Sequence, residues 1–290
     1  MLEVVTSLAR WRERTEELRA VGTSLGLTMT MGALHAGHVA LLEQSASQCG
    51  ASLATVFVNP LQFNDPADFE RYGVDLDADV ALAERVGVRA VLAPDIREMW
   101  PRWPAPTPTS VHVAGLTDRF EGADRPGHFD GVATVVTKVL VATGPCRAYF
   151  GEKDYQQLCV VRQLVEDLGL PADVIGCATV HEPDGVALSS RNARLSSRGR
   201  RAAVALSRAL AEGCAAAARG EGIASIEATM RDVVAEEPDV GLAYASVVEP
   251  ATLRAPADPS AGTAVRLLIA GVVEGIRLID NAAAVLGPVA

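Results

Sequence analysis

The chain reads as an α/β protein, a Rossmann-like doubly wound parallel sheet followed by a smaller C-terminal α+β domain. Three observations predict this. Up to about residue 180, short apolar runs alternate with amphipathic helical ones, the pattern of a parallel sheet covered by helices on both sides. One of those runs, Ser52–Val58, is almost continuously apolar, as a strand buried on both faces must be. After about Val180 the order becomes helices and then grouped strands, which suits a separate α+β layer. The expected domains are residues 1–179 and 180–290.

The elements follow in order. Leu2–Val5 predicts a strand. Ser7 can cap a helix with Leu8, Trp11, Leu18 and Val21 near one face, and Gly22 ends it. Leu25–Thr30 is the second strand and His38–Cys49 the next helix. Ser52–Val58 is a strand, Asp75–Val86 a helix with acids in its first turn, and Val88–Ala93 another strand. Val132–Val141 reads as a buried helix, Arg147–Phe150 as a short strand, Asp154–Leu168 as an amphipathic helix and Asp173–Val180 as a strand. Ser197–Arg219 and Ile223–Glu236 are helices; Tyr244–Val248, Val265–Ala270 and Glu274–Leu278 are strands. Segments 59–72 and 94–108 are long loops, which on an α/β scaffold are candidate lids or substrate walls.

Composition narrows the function. A chain of 290 residues with 49% apolar and 21% charged residues is a globular one. Its net charge of −10 disfavours a nucleic-acid-gripping surface, while a few local cations suffice for a nucleotide. The charged N-terminus lacks a signal-peptide core, and no apolar run is long enough to span a bilayer. Five scattered cysteines without a C-x-x-C pair fit reduced, buried thiols in a cytoplasm.

The most informative segment runs from Thr30 to His38, at a strand-to-helix turn. Its members Met31, Gly32, Ala33, Leu34, His35, Ala36, Gly37 and His38 stand where main-chain N–H groups and a helix N-terminus meet an anion. His35 and His38 can face one ligand. Taken alone, the pair also fits chance surface histidines or a metal pair, though no third ligand is near in sequence. No G-x-x-x-x-G-K-[ST] motif is present, which argues against a P-loop. A second such turn holds Gly151, Glu152, Lys153, Asp154 and Gln157. Lys153 offers a point charge for phosphate and Asp154 an acceptor for ribose hydroxyls. The plainer reading is a capped helix start with Lys153 in solvent. Ser189, Ser190 and Arg191 make a compact phosphate clamp, or a serine-rich turn into the next helix. Gln62, in the stretch from Asn59 to Phe63, suits a ligand with hydroxyl and carboxylate groups, or lies in an ordinary turn. His128 fits a catalytic residue or a loop histidine, and the loop reading is preferred.

Taken in register, these segments resemble the pantothenate synthetase (pantoate–β-alanine ligase) family, within the HIGH-motif nucleotidylyltransferase superfamily. The resemblance rests on T-M-G-A-L-H-A-G-H at 30–38, F-V-N-P-L-Q-F at 57–63, R-P-G-H-F-D-G-V at 125–132, Y-F-G-E-K-D-Y-Q-Q at 149–157 and S-S-R-N at 189–192. It spans nearly the whole chain and is densest between residues 28 and 195. It implies joining of (R)-pantoate to β-alanine with ATP and Mg2+, giving pantothenate, AMP and diphosphate through a pantoyl adenylate, in a cytoplasmic homodimer. By the resemblance, Met31 to His38 line the ATP site, with His38 the general acid and His35 its phosphate-binding companion. Gly151 to Asp154 hold ribose and phosphates. Val180 touches adenine through its backbone, and Leu188, Ser189, Ser190 and Arg191 close over the phosphates. Gln62 contacts pantoate and β-alanine, and Gln157 contacts pantoate. The smaller domain closes over the ATP site.

Four positions depart from the family pattern. Met29 stands where proline is usual, Gly73 and Val74 where Pro-Arg is common, and Leu188 where methionine is usual. No catalytic residue type is lost, and the missing cation at Val74 bears on substrate affinity. Two other readings are a nucleotidylyltransferase, which would leave AMP joined to its acceptor, and a nucleotide-binding protein without turnover, which would release none.

Overall fold

A computed structural model describes residues 2–65 and 69–288. Part of the expected 59–72 loop, residues 66–68, lies outside the described residues. The chain divides into two compact units, Met1–Gly151 with Gln156–Ala178, and Glu152–Tyr155 with Thr179–Ala290.

The first unit is a six-stranded sheet of β1 (Glu3–Val5), β2 (Leu25–Thr30), β3 (Ala51–Val56), β4 (Val88–Leu92), β5 (Cys146–Gly151) and β6 (Ala172–Cys177). Its order is β1-β4-β3-β2-β5-β6, with every pairing parallel. All six residues of β3 are buried, as its unbroken apolar run requires. The chain winds outward from β2 through β3 and β4, then returns to place β5 on the other side of β2. In open parallel sheets, ligands bind beyond the carboxyl ends of the strands at such a reversal. Thr28 of β2 lies opposite Tyr149 of β5, so the turns after Thr30 and Gly151 emerge from neighbouring strands.

The helices follow local chemistry closely. In α1 (Leu8–Ala20), Ser7 accepts from the Arg10 N–H and Leu8, Trp11 and Leu18 are buried. Val21, expected on that face, caps the helix and is exposed. α2 (Ala36–Gln48) starts two residues earlier than expected, because the His35 side chain caps it. α3 (Leu76–Arg85) is capped by Asp75, which accepts from the Ala78 N–H. α4 (His128–Thr143) is longer than its apolar stretch, starting at His128 after Gly127. α5 (Tyr155–Asp167) follows a 3-10 turn at Glu152–Asp154.

The second unit packs α6 (Ser197–Ala218) and α7 (Ile223–Ala235) on an antiparallel sheet of β7 (Val240–Val248), β8 (Ala264–Val273) and β9 (Ile276–Val285). Its core includes Leu206, Leu210, Ile226, Met230, Leu267 and Ile269. The expected strand at Glu274–Leu278 is corrected here. Glu274 and Gly275 both take positive φ and form a two-residue hairpin turn, and the strand runs from Ile276 to Val285. Its polar residues Asp280 and Asn281, which masked the pattern, sit in the strand and are buried.

Candidate active site

The turn after β2 is held by its own polar groups. Thr30 donates from its hydroxyl to the Thr55 carbonyl at 2.7 Å and accepts from the Gly32 N–H at 3.2 Å. Gly32 (φ 85) and Ala33 (φ 52) both lie in the left-handed region, which costs a non-glycine residue about 1–2 kcal/mol. A Cβ on Gly32 would stand 2.8 Å from both Asp79 Oδ2 and Val74 Cγ1. The buried Asp79 carboxylate, on α3, accepts from the Ala33 N–H at 2.9 Å and the Leu34 N–H at 2.7 Å. His35 and His38 cap the helix reciprocally. The His35 N–H donates to His38 Nδ1 at 3.3 Å, and the Gly37 N–H donates to His35 Nδ1 at 3.1 Å. The ring centroids are 4.1 Å apart.

This changes the reading of the turn. The N–H groups of Gly32, Ala33, Leu34, His35 and Gly37 are taken by protein acceptors rather than offered to an anion. With both Nδ1 atoms accepting, each neutral imidazole carries its proton on Nε2. The backbone thus holds both rings through Nδ1, which leaves Nε2 as the donor atom of each.

Beside this turn lies Gln62. It donates from Nε2 to Met31 Sδ at 3.0 Å, and its Oε1 accepts from Asn59 Nδ2 at 3.1 Å. Asn59 is almost wholly buried and uses its amide fully. It donates also to the Gly131 carbonyl and accepts from Trp100 Nε1 and the Leu61 N–H. The Gln62 carbonyl accepts from His128 Nδ1 at 2.7 Å and Arg125 Nη2 at 3.2 Å. His128 is thus no loop histidine. It is buried at the first residue of α4, with Nε2 accepting from Arg125 Nη1. Gln156 is also spoken for. It binds the Glu121 N–H and the carbonyls of Leu116 and Arg119. The neighbouring Gln157 is half-buried.

Gly151 ends β5 in the first unit, and the remaining candidates belong to the second. Lys153, Ser189 and Arg191 line one cavity together with Arg277 and Asp280. The main chain at Glu152 and Lys153 is gripped by Asn281 Nδ2, which donates to both carbonyls at 2.9 Å. Arg266 bridges Asn281 Oδ1 and the Glu152 carboxylate and stacks over the Tyr155 ring. Lys153 Nζ lies 3.5 Å from Asp154 Oδ1. Ser189 caps the 3-10 turn Ser190–Arg194 by accepting from the Arg191 N–H, and Ser190 and Arg191 are exposed. The Leu188 N–H donates to the Val180 carbonyl at 2.9 Å, which sets those two candidates side by side. His181 Nε2 meets the buried Asp280 carboxylate at 2.9 Å, and that hydrogen bond raises the imidazole pKa.

The molecule therefore assembles two clusters. Met31 to His38 and Gln62 share the first unit, and Lys153, Ser189 and Arg191 share a cavity of the second. Asp79, Asn281, Arg266 and Arg277 were missed by sequence reasoning. Asp79, Asn281 and Arg266 each bond to a motif far away along the chain, Arg277 lines the cavity beside two of them, and none sits in a motif of its own. Asn59 and His128 lay inside quoted motifs, but their burial was not legible.

The model of the pantoate–beta-alanine ligase family matches residues 3–283. The chain belongs to that family. A pantothenate synthetase of Cereibacter sphaeroides is 46% identical over 281 residues, covering 97% of this chain and 99% of the relative. The crystal structure of pantothenate synthetase from Thermus thermophilus superposes with a TM-score of 0.87 at 43% identity, covering 97% of this chain and 98% of that one. The pantoate–beta-alanine ligase of Francisella tularensis, complexed with beta-gamma ATP and beta-alanine, gives a TM-score of 0.77 at 27% identity over 97% of each chain. The ligase family thus covers both compact units, and the five motifs lie within its matched span.

Proposed function

We propose that this chain carries out its family's reaction, the ATP-dependent joining of (R)-pantoate to β-alanine, with the paired imidazoles at the β2 turn acting on the nucleotide. The observation that carries the reading is that turn. Two histidines are held to the backbone through their Nδ1 atoms beside Gln62, in a chain that matches the family over residues 3–283. A pantoate carboxylate oxygen attacks the α-phosphorus of ATP, the bond to the bridging oxygen breaks, and diphosphate leaves. The β-alanine amine then attacks the acyl carbon of the pantoyl adenylate and AMP departs with the bonding pair, giving pantothenate and a proton.

Both steps need positioned donors more than an enzyme nucleophile. His38 serves as general acid and His35 as its phosphate-binding companion. Lys153, Ser189, Ser190 and Arg191 offset charge on the non-bridging oxygens. Met31, Gly32, Ala33, Leu34, Ala36 and Gly37 form the wall of the ATP site. Gly151, Glu152 and Asp154 serve ribose and phosphates, Val180 serves the base through its backbone, and Leu188 closes over the phosphates beside Ser189. Gln62 and Gln157 hold pantoate, and Gln62 also meets β-alanine. Magnesium belongs to the nucleotide substrate as MgATP; among the described residues no group of three or more His, Cys, Asp or Glu side chains could hold a metal ion. The smaller domain closes over the triphosphate. The reading includes a cytoplasmic homodimer, which rests on the family resemblance; no helix among the described residues is long and apolar enough to cross a membrane.

Substrate omission tests the reading. AMP should appear in quantity only when pantoate and β-alanine are both present, with one pantothenate per AMP. AMP left attached to an acceptor, or none under any substrate pair, would refute it. His38→Ala and Lys153→Ala should each cut turnover by about a hundredfold or more, as loss of transition-state donors does.

A further inference from the structure

Asp79 is a carboxylate in an unexpected place, directed at the turn that carries the paired histidines. It is 4% exposed and stands on α3, far from the turn in sequence. Both its oxygens are used on that turn, Oδ2 by the Ala33 N–H and Oδ1 by the Leu34 N–H. The turn needs such a hold. Ala33 sits at φ 52, a conformation its Cβ disfavours, immediately after Gly32 at φ 85. Directly afterwards come His35 and His38, whose cap depends on where Leu34 delivers the chain.

Helix propensity does not explain this placement. An acid in the first turn of a helix ordinarily faces its own N-terminus. Asp79 instead satisfies two main-chain donors of another segment. A ligand phosphate would otherwise compete for those N–H groups. With the carboxylate in place, those two N–H groups are closed to a phosphate.

We propose that Asp79 is a positioning residue for the reaction. It pins the strained main chain at Ala33 and Leu34, and so fixes the angle at which the His35 and His38 Nε2–H groups meet the nucleotide. The inference rests on the assignment of those histidines to the phosphates. It adds a residue that never touches substrate yet controls the rate through the residues that do.

A double-mutant cycle tests it. Asp79→Asn keeps the side-chain shape but turns one acceptor into a donor facing an N–H group. In a folded variant, kcat should fall about tenfold or more while KM for pantoate and for β-alanine changes little. In the His38→Ala background the same substitution should cost almost nothing further, because coupled residues are not additive. A kcat near wild type in folded Asp79→Asn overturns the inference, as does an equal loss in both backgrounds. If His38→Ala itself leaves kcat unchanged, the assignment of the histidines fails and this inference with it; if His38→Ala is crippled while Asp79→Asn is not, only this inference fails. Amide hydrogen exchange on the unmodified protein needs no folded variant. The Ala33 and Leu34 amides should be strongly protected, and exchange at the rate of open loop amides would overturn the clamp.

Discussion

Asn59 shows how much one side chain can organise. Its amide spends both donors and both acceptor positions inside the protein, on Gln62, Gly131, Trp100 and Leu61. Asn59→Ala would strand the buried Trp100 indole N–H, worth roughly 1–3 kcal/mol, and take from the Gly131 carbonyl its hydrogen bond to the side chain, worth about 1 kcal/mol. Urea unfolding should record a loss of about 2–4 kcal/mol by the same reasoning, and steady-state kinetics a raised KM for pantoate as Gln62 loses a partner. A variant with unchanged unfolding midpoint would contradict this. His181 makes a different prediction. Its hydrogen bond to Asp280 raises the imidazole pKa above the unfolded value of about 6.5. The stability it contributes is therefore whole below about pH 6.5 and is lost as pH rises through the folded value. The gap in unfolding midpoint between the parent and His181→Gln should be wide near about pH 6 and narrow toward about pH 9; a gap that grows with pH would contradict it. At this scale the sequence showed residue types but not partners. The histidine pair was visible in T-M-G-A-L-H-A-G-H, whereas its tautomer depends on which backbone N–H groups it accepts. Asp79 was hidden because an acid there already had an ordinary explanation as a first-turn residue.

Elements were legible wherever the local signal and the tertiary demand agreed. Ser7 caps its helix as expected, and Asp75 and Ser196 cap theirs one residue outside the helical run. The signal failed where it was tertiary. α4 begins at His128 because its side chain anchors the Gln62 carbonyl, not because its first residues are apolar. β9 extends to Val285 through Asp280 and Asn281 because those side chains serve His181, Glu152 and Lys153. The contact between α4 and the 60–62 turn is unusually close. A Cβ on Gly131 would fall 2.2 Å from the Leu61 oxygen and 2.7 Å from the Gln62 nitrogen. Gly131→Ala must push that turn aside, at an overpacking cost of about 1–3 kcal/mol. Calorimetry should show a lowered Tm, and pantoate binding should weaken more than ATP binding, since Gln62 rides on the displaced turn. An unchanged Tm would mean that the turn yields freely.

For the whole molecule, alternating strands and helices revealed a parallel sheet, but not its order. The order β1-β4-β3-β2-β5-β6 brings the ends of β2 and β5 together, and local patterning carries no record of which strands pair. The sheet thus sets the carboxyl ends of β2 and β5 at one reversal point, where general rules for such folds place a ligand. The second unit collects Lys153, Ser189 and Arg191 around one cavity, although Lys153 and Ser189 are far apart along the chain. In the proposed reaction the pantoate carboxylate attacks the α-phosphorus of ATP, and turnover with pantoate labelled with 18O in its carboxylate shows whether it does. Mass spectrometry should find one label in AMP and the other in the amide carbonyl of pantothenate. AMP without label, with 18O in diphosphate or inorganic phosphate instead, would contradict it.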